Sequence, residues 1–386
     1  MDPLCYKITA VLTAVTPLHI GSGQRIGVIK RSFGHVPGSA LRGAIGTSII
    51  KSVCKLDRPL IKHEECKYFD ECTYVSLFGE EFGKASNVFF RYAYPLHLKC
   101  GGFYMPAPKT LYVCKNPQCG KTYDGILPPR NCDCSEDIEP FSGFQCEKCH
   151  EISEHPVSFS RTTSTALDRS NVSAAKVGDS HGKETHGTLH TTETIRKGSK
   201  FAIEVLVSKD AADQVDALKA MLERGLEDEG IGGGKSRGLG KVKVEDLKIN
   251  DVAEDAVQKR AAAIDVSSFS VRLVSPMLLD GHMLDDRSLL EGCRRGYTWL
   301  FHKGKPKLQD IELKATRAES ETFGGWSLKT EKRRTIEPAI SAGSVFQFES
   351  KTNDETLALS LAALEFHAIG SYKPHGCGQV RIEGSR

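Results

Sequence analysis

Residues Gly230–Val244 read GIGGGKSRGLGKVKV. Glycine at this density is expected where the backbone takes φ > 0, or where another group must come close to it. Lys235, Arg237 and Lys241 make an anion the natural visitor. A helix-like segment precedes the loop and a strand-like one follows it. That order is the reverse of a dinucleotide fingerprint. Gly234-Lys235-Ser236 opens no helix, so the loop is not a Walker-type phosphate cradle either.

A second copy lies near the C-terminus. Gly232–Glu245 (GGGKSRGLGKVKVE) and Gly370–Glu383 (GSYKPHGCGQVRIE) share the frame G-x-x-K-x-x-G-x-G-x-V-x-(V/I)-E. Two further anchors recur in the same order: Val15-Thr16-Pro17-Leu18 with Val274-Ser275-Pro276-Met277, and Gly198-Ser199-Lys200-Phe201 with Gly343-Ser344-Val345-Phe346. Three ordered anchors argue for a duplicated domain. The stretch from Pro17 to Gly198 is far longer than that from Pro276 to Gly343, so the first copy carries an insertion.

The other chemistry-bearing residues lie in that insertion. Cys114-x4-Cys119, Cys132-x-Cys134 and Cys146-x2-Cys149 fall in a segment rich in Gly, Pro, Asn and Asp. Two cysteine pairs at this separation fit a zinc ribbon, in which four thiolates take one tetrahedral ion. The expected ligands are Cys114, Cys119, Cys146 and Cys149, with Cys132, Cys134 and His150 as replacements for one of them. The site reads as structural, because an insertion this poor in apolar residues needs a staple. Cys66-x5-Cys72 is a weaker pair, as easily core or loop as metal-binding.

A chain of 386 residues has room for two or three domains, and 39% hydrophobic with 26% charged residues is ordinary for a soluble protein. A net charge of +3 confines any nucleic-acid surface to a local groove. The N-terminus lacks the basic and apolar regions of a signal peptide, and no run is long enough to span a bilayer. The expectation is a cytoplasmic protein with no membrane partner, in which thirteen cysteines mean metal or free thiols rather than disulfides.

The elements that must carry these residues follow from periodicity. Tyr6–Val15 alternates as a strand. Ser39 is the expected N-cap of a helix running to about Val53, whose first-turn amides offer an anion site. Val88–Tyr94 is the best second strand, Lys200–Val207 the third, Ala211–Leu226 a helix with one apolar face, and Lys241–Val244 the last strand. This is the βαββαβ order of a ferredoxin-like or RRM-like domain. The expected fold is therefore α+β: a first domain over 1–250 with its Cys-rich insertion at about 100–190, a polar linker over 251–265, and a second domain over 266–386. Thr162–His190, rich in Ser, Thr, Gly and His, is expected to be mobile alone. In the second copy Arg294, Arg295, Tyr297 and Trp299, with Lys332-Arg333-Arg334, set cations beside aromatics.

The chain resembles the RAMP superfamily, the ferredoxin-like subunits of CRISPR effector complexes. The resemblance rests on His19-Ile20-Gly21-Ser22-Gly23, Val36-Pro37-Gly38-Ser39-Ala40-Leu41-Arg42-Gly43, Leu77-Phe78-Gly79 and the Gly-rich loop of each copy. Ala166-Leu167-Asp168-Arg169, Gly187-x-Leu189 and Glu193-x3-Lys197-Gly198-x2-Phe201, with the Cys-rich insertion, look most like the large Cas-five-type subunit of type III-D systems. The resemblance implies a non-catalytic subunit that binds CRISPR RNA without reading base pairs and caps the complex at the 5′ tag. Its partners would be the large polymerase-like subunit and a backbone RAMP subunit. It implies RNA contacts from His19, Gly21, Ser39, Arg42, Arg161, Arg169 and the loop residues Gly233, Gly234, Lys235, Ser236, Arg237 and Gly238, with the insertion as a thumb.

Target-cleaving members carry an aspartate between His-Ile-Gly and Pro-Gly-Ser. Here Gln24–His35 holds no carboxylate, and Arg25, Lys30 and Arg31 would contact phosphate instead. Two catalytic alternatives remain at this stage. One is an endoribonuclease that matures CRISPR RNA with His35 as acid or base, with His19 next. The other is a target-cleaving backbone subunit using Asp168.

Overall fold

The alternation in Cys5–Ala14 (β1) buries Ile8, Ala10, Leu12 and Ala14 on one face, and this strand is the centre of the first domain. A computed structural model describes residues 2–57, 63–79, 85–165, 167–168, 173–174, 176–178, 184–187, 189–327, 332–351 and 354–384. Helix α1 (Gly38–Val53) follows β1. Strand two is split into β2 (Val88–Phe90) and β3 (Tyr94–His97). Then come β4 (Lys200–Ser208), a helical run through Val215–Ala220, a π segment Met221–Gly225 and Leu226–Glu229, and β5 (Val242–Val252). Gly225 lets this run pack closely on α1: a Cβ there would stand 2.5 Å from the Ser48 hydroxyl oxygen. β5 and β4 flank β1, and β2 and β3 pair with β4, all antiparallel. This is the βαββαβ sheet, and its expected second strand lies within Val88–Tyr94 plus three residues.

The second domain repeats the order with β6 (Ser268–Leu273), α3 (Asp286–Phe301), β7 (Ile311–Arg317), β8 (Val345–Ser350), α4 (Glu355–His367) and β9 (Val380–Gly384), in the sheet order β7-β8-β6-β9. The segment expected as a linker is not loose. β5 runs to Val252, and α2 (Glu254–Ala262) buries Val257 and Ala261 against the second core.

The duplication extends to individual hydrogen bonds. The Gly240 amide donates to Pro17 and the Gly378 amide to Pro276. Ile231 donates to Gly240 as Ile369 does to Gly378, and Gly198 donates to Ala14 as Gly343 does to Leu273. Gly240 and Gly378 have φ of 86° and 71°, and a Cβ there would fall 2.5 Å from the Ile231 carbonyl oxygen and 1.7 Å from that of Ile369. Much of the glycine in both loops therefore serves the loop's own backbone, not a ligand.

The insertion is continuous with the first sheet. Gly102–Pro106 pairs with β3, Phe144–Cys146 pairs with Gly102–Pro106, and Ile152–Ser153 closes the edge. A separate three-stranded sheet holds Leu111–Cys114 between Thr122–Asp124 and Ile138–Pro140. Part of the stretch expected to be mobile, Thr162–His190, lies outside the described residues; its two ends are paired. Phe159–Thr165 pairs in register with Leu189–Ile195, and Thr163 and Thr191 share a hydroxyl hydrogen bond of 2.9 Å. Leu189–Ile195 also pairs, in parallel, with Ile29–Ser32, so both strands belong to a four-stranded sheet in which cross-strand threonines add to the pairing.

Candidate nucleic-acid interface and metal centres

The two Gly-rich loops have opposite fates. Each holds a short 3-10 turn, Lys235–Arg237 in the first copy and Lys373–His375 in the second, between residues of left-handed backbone. The second loop lies in the seam between the domains, where Tyr372–His375 are half-buried and Gly376–Val380 buried. A Cβ on Gly38, at the start of α1, would stand 2.0 Å from the Phe90 carbonyl oxygen and 2.7 Å from that of His375, so the loop lies directly on that helix start. Lys373 Nζ donates to His367 Nε2 at 3.0 Å, and burial, reinforced by Arg295, brings its pKa down to about 8. Trp299 packs edge-on against Phe89 at 5.1 Å and beside His367 at 5.6 Å. Arg295 bonds Glu291, and Arg334 lies over Tyr372. Of the expected cation–aromatic groups, Trp299, Arg295 and Arg334 are thus taken up by packing and ion pairs.

That seam also corrects two expectations about the Pro-Gly-Ser helix. The N-cap is Pro37, and Ser39 sits in the first turn without a capping side-chain bond. The anion site expected at the helix start is filled by the second copy's loop. Arg42 points inward as well. It donates to the Phe78 carbonyl at 3.0 Å and stacks over the Phe78 ring at 4.3 Å, and burial lowers its pKa to about 10.

The first loop is exposed at Gly233, Lys235, Ser236, Arg237 and Gly238. Among the described residues, no hydrogen bond or ion pair holds the side chain of Lys235 or Arg237. Partial burial lowers the Lys235 pKa, opposed by Glu229. The loop joins the His-Ile-Gly motif through its backbone, since Gly233 donates to the His19 carbonyl at 2.9 Å. The His19 ring donates from Nδ1 to the Glu193 carbonyl at 2.8 Å. Gly21 opens a hairpin of Gly21–Ile26 with Ile29–Ser32, in which Arg25 faces Lys30.

Glu193 was not foreseen as an organiser of this surface. Its carboxylate is 4% exposed and receives Arg161 Nε and Nη2 at 3.1 Å, Arg31 Nε at 3.2 Å and the Ser32 amide at 3.3 Å. One buried carboxylate thus fixes two cations that remain partly exposed, leaving a local excess of one positive charge. The signal was the threonine-rich strand around Glu193, which places a lone carboxylate on a buried face. Of Arg25 and Asp168 only the backbone is described, and Arg169 lies outside the described residues.

His35, the acid–base alternative, sits among Phe33, Tyr92, Tyr94 and Phe144 with ring centroids 5.0–6.4 Å away. Its Nδ1 is buried without a hydrogen bond, and burial lowers its pKa to about 4 from 6.5. Below pH 6.5 the unfolded chain takes up a proton that the folded chain refuses. His35 therefore supports stability fully above pH 6.5, and that support fades as pH falls toward 4, by about 3 kcal/mol in all. Unfolding free energies measured across this window should fall with pH in the wild type and fall less steeply in His35→Phe.

The cysteines form two centres, not one. Cys114, Cys119, Cys132 and Cys134 converge, and separately His97, Cys100, Cys146 and Cys149. The expected quartet is split between them, and His150 belongs to neither. In the first, Cys114 Sγ lies 3.4 Å from Cys134 Sγ and Cys119 Sγ 3.6 Å from Cys132 Sγ. In the second, Cys100 Sγ lies 3.4 Å from Cys146 Sγ, and His97 Nδ1 is 3.2 Å from both Cys100 and Cys149. Four ligands about 2.3 Å from a tetrahedral zinc ion are separated by about 3.8 Å, close to these edges. Amides of Asn116 and Gly102 donate to Cys114 and Cys100 at 3.4 Å, and the Tyr123 hydroxyl donates to Cys132 at 3.3 Å. His97 Nε2 faces Glu151 at 3.5 Å, where a carboxylate orients a metal-binding imidazole. The donor sets therefore fit two structural zinc ions. His97-x2-Cys100 mirrors Cys146-x2-Cys149 in spacing, which was the available signal. Cys66 and Cys72 join no such group among the described residues.

The RAMP superfamily model matches residues 11–243. The chain belongs to the RAMP superfamily. A second family model, described as CRISPR-associated protein (Cas_Cmr3), matches residues 177–382, reaching across the second domain of this RAMP protein. No curated protein matches the sequence. Among solved structures, the RAMP chain is similar to a subunit in a cryo-EM structure of the type III-B Cmr-beta bound to cognate target RNA, with 12% identity over 65% of this chain and 62% of that one and a TM-score of 0.35. A Cas6 product complex matches at 10% identity over 98% and 99% with a TM-score of 0.40. A type III-B Cmr-beta structure in the apo state matches at 14% over 62% and 96% with a TM-score of 0.34. The chain spans 62% of the length of the first of these. No helix among the described residues is long and apolar enough to cross a membrane.

Proposed function

We propose that this RAMP protein is a non-catalytic, CRISPR RNA-binding subunit of a type III effector complex, with the first Gly-rich loop as its main phosphate contact. One observation carries the reading. The same loop occurs twice; the copy packed in the seam has Tyr372, Pro374 and His375 where the exposed copy has Gly234, Ser236 and Arg237. Where the loop packs on protein it is weakly basic, and where it faces solvent it keeps two cations without partners. His19, Gly21, Arg31 and Arg161 extend this surface through the Glu193 network, with Lys30 on the same hairpin.

His35 is a packing residue in this reading, closed into its aromatic box. The motif set around Ala166–Arg169 supports the finer assignment as the Cas-five-type subunit at the 5′ tag, in contact with the large polymerase-like subunit and a backbone RAMP subunit. The zinc centres shape the insertion and leave the chemistry to RNA contacts.

The test uses the full chain with labelled single-stranded repeat RNA. Lys235→Glu with Arg237→Glu should weaken binding about 10- to 100-fold and lower the slope of log affinity against log salt by about 1.4 for two lost phosphate contacts. Unchanged affinity and slope would remove the loop from the interface. A single defined cut of the RNA by the purified chain would overturn the non-catalytic reading.

A further inference from the structure

The outer face of the second sheet holds an arrangement that neither the duplication nor RNA binding by the first loop explains. Arg272 on β6 and Arg381 on β9 are direct cross-strand partners, so both side chains stand on the same face. Like charges placed directly opposite repel each other. The insertion lies over part of this face, and between them is an open cleft of about 400 Å³ lined in part by Asp124, Glu147, Arg260, Arg272, Arg381 and Glu383.

Arg272 is only 3% exposed, yet its buried Nε has no hydrogen-bond partner among the described residues. Its nearest carboxylate oxygen, on Glu383, stands 3.5 Å from Nε. Arg381 Nη2 reaches Glu147 only at 3.4 Å. A third arginine on the cleft shows what a satisfied guanidinium looks like here: Arg260 holds Glu365 through two 2.8 Å bonds and also donates to the Ile382 carbonyl. A buried guanidinium left with an unused donor is costly, and Arg272, with the half-exposed Arg381 standing beside it, points at an anion in the cleft.

We propose that this cleft binds a phosphate monoester group, gripped by the planar forks of Arg272 and Arg381. Guanidinium forks match phosphate oxygens in pairs, which would also cancel the repulsion between the two strands. The cleft volume lies at the small end of small-molecule sites, enough for inorganic phosphate or a nucleoside monophosphate. The phosphate could belong to a free nucleotide or to the 5′ end of an RNA. The cleft lies on the second domain, apart from the first Gly-rich loop.

The experiment follows the thermal midpoint of the metal-loaded full chain at constant ionic strength. The probes are inorganic phosphate, AMP, adenosine, and a short oligoribonucleotide with or without a 5′ phosphate. Phosphate and AMP at millimolar concentration should raise the midpoint and adenosine should not. Arg381→Gln should weaken AMP binding about 10- to 100-fold, and Arg381→Lys by an intermediate factor, because it keeps the charge and loses the fork. A shift from the 5′-phosphorylated oligonucleotide alone would assign the site to an RNA end. Line broadening of the AMP phosphorus resonance by wild-type protein reads the same binding without a variant. Absence of both shift and broadening would overturn the proposal, as would equal AMP affinity in wild type and Arg381→Gln. Lys235→Glu with Arg237→Glu should leave AMP binding intact, so failure of the RNA reading and failure of this one are distinguishable.

Discussion

The purified chain is expected to carry two zinc equivalents, and each should be removable alone. Cys119→Ser should release the ion held by Cys114, Cys119, Cys132 and Cys134 and spare the other. Cys149→Ser should do the reverse. If one ribbon of Cys114, Cys119, Cys146 and Cys149 were the correct set, both variants would lose the same single ion, and metal analysis of the two proteins decides the matter. The effect of chelation should be large. Structural zinc contributes about 10–16 kcal/mol in small zinc peptides, and the segment from His97 to Ser153 has only the small Ala107–Leu111–Phe141 cluster and the Tyr94–Met105 contacts of its own. Loss of both ions should open this segment to protease while the two ferredoxin-like cores stay resistant. The seam should weaken too, since Lys109 donates its amide to the Gly343 carbonyl at 2.8 Å and pairs with Glu319 at 2.6 Å. Equal protease resistance with and without chelator would mean that the thiols are not metal ligands.

Glu365→Gln should cost about 3 kcal/mol of stability, a large share of what a domain of this size possesses. The Glu365 side chain is 8% exposed and takes both donors of Arg260 together with the Ile382 amide at 2.8 Å. Removing its charge strands a guanidinium between α2, α4 and β9. The value belongs at the low end for a broken buried pair, because Arg260 keeps 31% of its exposure and some access to water. Urea unfolding of the single variant measures the loss. Replacing both partners by apolar residues should recover most of it, since no charge then remains unpaired. A loss under about 1 kcal/mol in the single variant would place this pair with ordinary surface ion pairs.

The sequence by itself determined the fold and its duplication. Alternation in Cys5–Ala14 and Lys200–Ser208, the apolar faces of the helices and the repeated Gly-Ser-x-Phe and Gly-rich anchors all express local backbone geometry, which neighbouring residues dictate. Gly240 and Gly378 were legible for the same reason: only glycine fits where φ is positive and a carbonyl oxygen comes within 2.5 Å of the missing Cβ. The spacing within each cysteine pair was also local, and it placed metal in the insertion.

Tertiary structure decided everything that depends on which distant segments meet. Cys146 and Cys149 share their centre with His97 and Cys100 because the strand Gly102–Pro106 folds back between β3 and Phe144–Cys146, while the intervening residues close a second centre of their own. No pair spacing encodes that nesting. The same holds for the two Gly-rich loops, nearly equal in sequence. Which one faces solvent and which one packs on protein follows from where the second domain docks. Docking covers the start of α1 and leaves Lys235 and Arg237 in water. It also sets the cross-strand pair Arg272 and Arg381 beside the insertion, where Arg272 is buried and Arg381 stays half-exposed.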